Sequence, residues 1–96
     1  MAQIKKPRVL FFNAGWSGPC VAYRKVIEAC LEAYKDQYQA LESYDTDSVS
    51  EALLRQWRVL GVPTTIVVSR YGRELIRLTG YNTKDYTLNA LRKGVL

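Results

Sequence analysis

The sequence predicts an α/β protein whose mixed four-stranded sheet carries helices on both faces. Short β-branched and aromatic runs alternate with helical patterns in the first half of the chain, which is typical of parallel strands joined by a helix. Two later runs are joined so tightly that they must be antiparallel. The chain has 96 residues, a length that suits one small domain. We therefore expect a single domain over residues 1–96 with the order β-α-β-α-β-β-α.

The first half of the chain supplies the first strand and the longest helix. Residues Arg8 to Asn13 (RVLFFN) form a β-branched and aromatic run that ends at Ala-Gly, as buried strands do. A helix is expected to begin at Pro19, because proline is tolerated in the first helical turn. Its apolar face follows helical spacing. That face comprises Cys20, Tyr23, Ile27, Cys30 and Tyr34.

The middle of the chain predicts a second strand and a short helix. Residues Gln39 to Tyr44 are the candidate strand. A capping box, Ser48-x-x-Glu51, is expected to start the helix, which would carry Leu53, Leu54 and Trp57 on its apolar face. Gly61 is expected to stop this segment.

The last third predicts a hairpin followed by a helix. A β-branched strand is expected from Thr64 to Ser69, a turn at Tyr71-Gly72 and a second strand from Arg73 to Thr79. Either Asn82 or Thr83 would cap the final helix. Its apolar positions are Tyr86, Leu88 and Leu91.

Charge and hydropathy limit the classes of function. The net charge is +5 and the isoelectric point is near 9.4, but the basic residues are scattered without interleaved aromatic side chains, so we expect no nucleic-acid partner. The apolar runs are too short for a membrane span, which needs about 20 residues. The N-terminus lacks the apolar stretch of a signal peptide. We therefore predict a cytoplasmic protein.

The stretch AGWSGPC, residues 14–20, carries the candidate chemistry. A cysteine in the first turn of a helix lies near free N–H groups and the positive end of the helix dipole, which stabilise a thiolate. The Ser17 hydroxyl is not a credible nucleophile, because it would need a base to remove its proton and the chain contains no histidine. Cys20 and Cys30 lie ten residues apart in one predicted helix. At about 15 Å they cannot form a disulfide, and Cys30 is expected in the core.

WSGPC resembles the WCGPC motif of the thioredoxin family. The resemblance extends from Arg8 onward through the Gly-Val-Pro-Thr segment at residues 61–64, the Tyr71-Gly72 turn and Gly80. It implies a minimal thioredoxin fold, since the extra N-terminal strand and helix of ordinary thioredoxins are not in the sequence.

The resemblance also implies roles for individual residues. Ser17 occupies the position of the family's nucleophilic cysteine, and Cys20 that of the resolving cysteine. Thioredoxins often carry a buried carboxylate six residues before the nucleophile, where this chain has Phe11. Pro63 would follow a cis peptide bond and face the motif. The residues expected to bind substrate are Trp16, Gly18, Pro19, Val62, Pro63 and Gly80.

The expected partners of such a protein are a thioredoxin reductase, or an equivalent electron donor, and client proteins that contain disulfides. No cofactor is expected. Two cysteines without histidine do not suit a zinc site, and a shared iron–sulfur cluster would use the first cysteine of the motif, which Ser17 replaces. We expect a monomer.

Three interpretations of Ser17 remain open. It could be an isosteric replacement that blocks the dithiol cycle of a thioredoxin, giving an inactive or trapping variant. The chain could instead use Cys20 alone for mixed-disulfide or glutathione chemistry, although this thiol would lie deeper than position 17. Finally, the fold could serve as a redox-inactive module that binds peptides or assembles with other proteins.

Overall fold

The order of elements along the chain agrees with the order predicted from the sequence. The computed structural model describes residues 5–96. The prediction that there is no signal peptide concerns the N-terminus, and residues 1–4 of it lie outside the described residues. Within the described residues there are four strands and three helices. These are β1 (Arg8–Asn13), α1 (Gly18–Glu32), β2 (Glu42–Asp45), α2 (Glu51–Gln56), β3 (Thr64–Val68), β4 (Glu74–Thr79) and α3 (Lys84–Gly94).

The strands form the predicted mixed sheet, in the order β2-β1-β3-β4. The β1 strand pairs parallel to β2 and antiparallel to β3, and β3 pairs antiparallel to β4. The carboxyl ends of β1 and β4 therefore meet the start of β3 at one end of the strands. We call this end of the sheet, and not an outer strand, the motif edge. The start of β1, the β3–β4 turn and the end of α3 lie at the opposite edge.

Alternate side chains of the central strands supply two cores, one on each face of the sheet. Val9 and Phe11 point to a face covered by α1 and α3, and they pack in a cluster with Tyr23 and Ile27. Leu10, Phe12, Ile66 and Val68 point to the other face, where partly buried side chains of α2 and the segment after it cover them. The helices thus lie on both faces, as predicted. We call the two surfaces the α1/α3 face and the α2 face.

The predicted second strand and the start of α2 need correction. Strand β2 begins at Glu42, since the amide of Gln39 donates instead to the carbonyl of Pro7 at 3.0 Å. The residue that caps α2 is Ser50, whose Oγ accepts from the amide of Leu53 at 3.2 Å. Ser48 does not cap the helix, because its hydroxyl donates to Asp45 Oδ2 at 3.4 Å. The predicted capping box is therefore wrong.

The ends of the helices also differ from the prediction. Helix α2 ends at Gln56, and Arg58 takes the left-handed conformation with φ of 52°, so the stop precedes Gly61. Helix α1 ends at Glu32, which leaves Tyr34 in the following turn.

The capping of α3 is assigned to Thr83, whose Oγ1 accepts from the amide of Tyr86 at 3.2 Å. Tyr86 itself was predicted on the apolar face, yet it is 53% exposed. Thr87 is buried instead, because the positions one helical turn apart that face the sheet are Thr87, Ala90 and Leu91. No helix in residues 5–96 is long and apolar enough to cross a bilayer.

Candidate functional site

The motif edge brings together segments that are far apart in the sequence. The chain leaves β1 at Asn13 and enters α1 through Ser17, while Pro63 stands just before β3. Phe12 pairs with Thr64 and Thr64 pairs with Thr79, so Pro63 and Gly80 lie beside the exit from β1. The amide of Gly80 donates to the carbonyl of Pro63 at 2.8 Å. These contacts fix the segment before β3 against the end of β4.

Ser17 is the N-cap of α1. Its Oγ accepts a hydrogen bond from the amide of Cys20 at 3.3 Å, and its own amide donates to the carbonyl of Ala14 at 3.1 Å. Gly18 and Pro19 form the exposed first turn, and the side chain of Ser17 is buried. Serine is among the best N-cap residues. The hydroxyl therefore has a structural role as a helix cap. This role was not predicted, although a serine at the start of a helical pattern indicates it.

Cys20 lies beneath this cap and is only 2% exposed. Cys30, three turns further along α1, is fully buried and its thiol contacts the carbonyl oxygen of Lys84 at 3.7 Å. Burial raises the pKa of the Cys30 thiol, which disfavours its reactive thiolate form. Both cysteines are free thiols. As predicted, they do not pair with each other, and Cys30 belongs to the core.

Trp16 stands out from the surface and is fixed at its polar end. The indole is 74% exposed, and Nε1 donates to Asp47 Oδ2 at 3.0 Å. The turn that carries Asp47 is itself held by Asp45, whose Oδ1 accepts from the amide of Asp47 at 2.9 Å. Asp47 was not among the residues predicted from the sequence. Two aspartates directly after a strand indicate a turn, but nothing local identifies an indole 31 residues away as the partner.

The segment before β3 borders an open groove at the motif edge. The Val62–Pro63 peptide bond is cis. The groove has a volume of about 400 Å³, and its lining includes Leu60, Val62, Pro63 and Gly80. Leu60 is 98% exposed. A largely apolar groove with a fully exposed leucine at its rim suits an extended apolar segment of another chain.

Arg77 holds this groove in place, and it was not among the site residues predicted from the sequence. Its guanidinium donates to the carbonyls of Trp57 at 2.5 Å and Arg58 at 3.1 Å, in the loop that leads to Val62. The same group makes two hydrogen bonds to Glu74, of 2.9 and 3.1 Å. This pairing raises the pKa of Arg77 and lowers that of Glu74. The donors therefore stay charged, and they tie the loop to β4.

The strand position six residues before Ser17 is apolar. Phe11 is fully buried and lies directly opposite Thr65 in the antiparallel pair. The hydroxyl of Thr65 is buried without a hydrogen-bond partner in the described residues. A hydroxyl does not act as a base at neutral pH. This part of the core thus offers no carboxylate that could take a proton from Cys20.

No three histidine, cysteine, aspartate or glutamate side chains in residues 5–96 are grouped closely enough to hold a metal ion. The polar groups at the motif edge include the cap hydroxyl, the indole N–H with its aspartate, and the backbone of residues 61–63. Such a set can bind a peptide through its backbone and apolar contacts. It contains no activated nucleophile.

Comparison with known proteins agrees with this geometry. Residues 1–94 match the family described as "Thioredoxin-like domain". A thioredoxin of Alicyclobacillus acidocaldarius is 30% identical over 80 residues, which are 83% of this chain and 73% of that protein. Thioredoxin H2 of Arabidopsis thaliana is 30% identical over 74 residues, which are 75% of this chain but only 51%, about half, of that longer protein.

Solved structures have the same fold. The germline-specific thioredoxin Deadhead of Drosophila melanogaster superposes with a TM-score of 0.81 at 26% identity, over 93% of this chain and 81% of its own. Thioredoxin-2 of a malaria parasite, described as a component of the protein secretion machinery, gives 0.82 at 22% identity, over 96% of this chain and 86% of its own. The predicted fold class is thereby confirmed.

Proposed function

This chain belongs to the thioredoxin family of redox proteins, and from that premise we propose that its motif edge is built for thiol–disulfide exchange with the nucleophile replaced by Ser17. The chain as it stands then binds disulfide-containing clients but does not reduce them. The observation that carries the proposal is the position of Ser17 Oγ at the N-cap of α1, 3.3 Å from the amide of Cys20. A thiolate at that position would receive the same hydrogen bond and the helix dipole.

The missing step follows from acid–base chemistry. A serine hydroxyl needs a base to become a nucleophile, and the chain has no histidine. Phe11 and Thr65 supply no carboxylate nearby. Cys20 has the right chemistry, but its exposure of 2% keeps a bulky client disulfide away from its sulfur. Use of Cys20 alone for mixed-disulfide or glutathione chemistry is therefore disfavoured.

A cysteine at position 17 would complete the cycle. Its thiolate would attack one sulfur of a client disulfide, forming a mixed disulfide and releasing the other client sulfur as a thiolate. Water or the released client thiolate would then take the proton of Cys20. Attack by the Cys20 thiolate on the sulfur at position 17 would break the mixed disulfide, release the second client thiolate and leave a disulfide between residues 17 and 20. The two electrons come from the protein dithiol. A thioredoxin reductase or an equivalent donor would restore them.

The client would lie along the groove at the motif edge. An extended peptide can pair with the free backbone of Val62 by strand addition, and Trp16 and Leu60 each offer exposed apolar surface. Gly18 and Gly80 have no side chain, and Gly18 and Pro19 are exposed in the first turn of α1, so a client backbone could approach these positions closely. These assignments of substrate-binding residues are part of the proposal.

The test is a dithiothreitol-driven insulin reduction assay on Ser17→Cys. We expect reduction of insulin by Ser17→Cys, and none above background by the unsubstituted chain or by Ser17→Ala. The double variant Ser17→Cys/Cys20→Ser has a nucleophile but no resolving thiol, so after reduction and removal of dithiothreitol it should accumulate a mixed disulfide with insulin that a non-reducing gel resolves. Thiol labelling of the unsubstituted chain should be slow at both cysteines until denaturant is added.

The alternative is a redox-inactive binding or assembly module. One observation favours it: Ser17 caps α1 as well as any residue could, so the fold does not require a thiol at that position. A natively folded Ser17→Cys protein that fails to reduce insulin would overturn the exchange proposal and favour the module. A single domain, a monomeric state and a cytoplasmic location remain predictions.

A further inference from the structure

The positive charge of this protein is concentrated at the edge of the sheet opposite the motif. Five ion pairs engage five basic and five acidic side chains. Of 14 basic and nine acidic residues, nine basic and four acidic side chains then have no ion pair within the described residues. Six of these nine basic residues belong to segments at the opposite edge. They are Lys5, Lys6, Arg70, Arg73, Arg92 and Lys93.

Four of these residues line one cleft, which we call the basic cleft. It has a volume of about 570 Å³ and contains Lys5, Lys6, Arg70 and Lys93, with Asp36 as its one acidic side chain. The start of β1, the turn between β3 and β4, and the end of α3 converge there. None of the four cations forms an ion pair with another described residue. Their like charges repel one another, so a negatively charged ligand would lower the electrostatic energy of the cleft.

The surface between the cations is apolar. Leu75 and Leu96 line the cleft and are 39% and 93% exposed. Tyr71 is 81% exposed, and the guanidinium of Arg70 lies 5.0 Å from the centre of its ring. Apolar side chains among unpaired cations form a surface that is costly to leave in water and that an amphipathic acidic ligand would cover.

Local helix electrostatics explain only part of this charge. Arg92 and Lys93 lie in the last turn of α3, where cations offset the negative end of the helix dipole. Lys5 and Lys6 precede a strand and Arg70 lies in a turn, so no helix end accounts for them. Their convergence on the same cleft requires another explanation.

We propose that the basic cleft docks an acidic peptide segment of a partner protein, at a site separate from the motif edge. Carboxylates of the segment would pair with Lys6, Arg70 and Lys93, and an apolar side chain between them would pack on Leu75. A concave cleft suits a peptide better than a flat bilayer surface. A single exposed tyrosine gives too little stacking surface for single-stranded nucleic acid.

The test measures binding of a labelled peptide to the unsubstituted chain by fluorescence anisotropy. The probe is fluorescein-Glu-Glu-Leu-Glu-Glu-Leu-Glu-Glu, and the charge control has Gln at every Glu. Three variants with native circular dichroism are compared with the unsubstituted chain. The reversal Lys6→Glu/Lys93→Glu alters the cleft. The matched control Lys25→Glu/Lys84→Glu changes the net charge equally, but it lies on exposed, unpaired lysines outside the cleft.

The third variant, Lys6→Gln/Arg70→Gln, leaves α3 untouched and replaces the reversal if Lys93→Glu disturbs that helix. We expect the cleft variants to weaken binding of the acidic probe by roughly tenfold or more and the matched control by about twofold at most. Chemical shift changes in the unsubstituted chain should centre on residues 70–75 and 93–95.

Several results would overturn the proposal. These are no binding of the acidic probe, equal binding of the Gln probe, or equal weakening by the cleft and control variants, which would indicate attraction by net charge alone. Tighter binding of single-stranded RNA or of phosphatidylserine vesicles than of the peptide would assign the cleft to another class of partner. Activity at position 17 plays no part in this assay.

Discussion

The two faces of the sheet are held together by different interactions. Helix α1 has 15 residues and buries four side chains in the core of the α1/α3 face. Helix α2 has six residues and buries none. The strands give the α2 face a buried apolar cluster of its own, but polar contacts fix its outer parts: Arg8 pairs with Glu42, and Arg77 with Glu74 and the loop carbonyls. The comparison teaches that a buried helix completes one face, whereas hydrogen bonds and ion pairs position the loop and the outer strands of the other.

The candidate site lies between the packed helix α1 and the loop that precedes β3. Ser17 and Cys20 begin the well-packed helix α1, whereas Val62 ends a loop that Arg77 ties down. Trp16 depends on Asp47, in the loop that leads to α2. We infer that Ser17 keeps a fixed position at the start of α1. The loop that lines the groove should open at a lower free-energy cost than α1, because few buried apolar contacts hold this loop.

The largest expected effect tests the apolar face. Ile27→Ala removes a fully buried side chain of the α1/α3 face, so the free energy of unfolding should fall by about 3 kcal/mol. Leu54→Ala makes the same kind of truncation at a partly buried position on the α2 face and should cost about 1 kcal/mol. Urea unfolding measures both. Equal losses would mean that the two faces contribute alike.

A smaller effect is expected from Arg77, whose hydrogen bonds tie the loop before Val62 to β4 on the α2 face. We call these contacts the clamp. Arg77→Met keeps an unbranched apolar stem but removes the guanidinium and its hydrogen bonds to the Trp57 and Arg58 carbonyls and to Glu74. The free energy of unfolding should fall by about 1 to 2 kcal/mol. Hydrogen exchange should accelerate at residues 57–62 but not in α1.

The matched control for the clamp is Arg55→Met. Arg55 also pairs with a glutamate, Glu51, but both side chains are mostly exposed and the pair reaches no loop carbonyl. Its loss should cost no more than about 0.5 kcal/mol. Exchange in residues 57–62 that stays unchanged in Arg77→Met would remove Arg77 as the residue that positions the groove.

The smallest effect concerns pH. The hydrogen bond from Arg8 holds the pKa of Glu42 below its ordinary value. A carboxyl with a lowered pKa in the folded state stabilises the protein above its unfolded pKa of about 4.3, and this contribution is lost as the pH falls through the folded value. Glu42→Gln should therefore cost a few tenths to about 1 kcal/mol at pH 7 and a smaller amount near pH 3.

Urea titrations of Glu42→Gln at both pH values provide the measurement. Glu28→Gln is the control, since Glu28 is 3.9 Å from Arg24 in an exposed pair and should show no comparable dependence on pH. A difference between Glu42→Gln and the unsubstituted chain that persists undiminished at pH 3 would contradict an ion-pair contribution from Glu42.

Much of the fold was predictable because its signals are local. The run RVLFFN, the helical spacing from Cys20 to Cys30 and the turn at Gly72 each determine their element within a few residues. The start of α2 was not predictable in this way. Ser48 satisfies the capping-box pattern and Ser50, which is followed three residues later by Leu53, does not, yet Ser50 caps the helix while Asp45 engages the hydroxyl of Ser48.

The candidate site divides along the same line. The sequence identified Ser17, Cys20 and Pro63 through motifs that are contiguous in the chain. It missed Asp47 and Arg77, whose partners lie 31 and 19 to 20 residues away. Polar side chains of this kind look alike in a sequence, because their partners are determined only after the strands have paired.

By itself, the sequence determined which segments become strands and helices and that Ser17 lacks the chemistry of a nucleophile, because backbone propensity and side-chain reactivity are properties of short segments. The tertiary structure alone decided that Ser17 is a buried cap, that Arg77 holds the groove and that six unpaired cations share one edge of the sheet. Those outcomes depend on strand register and helix packing, which bring together residues that the chain keeps far apart.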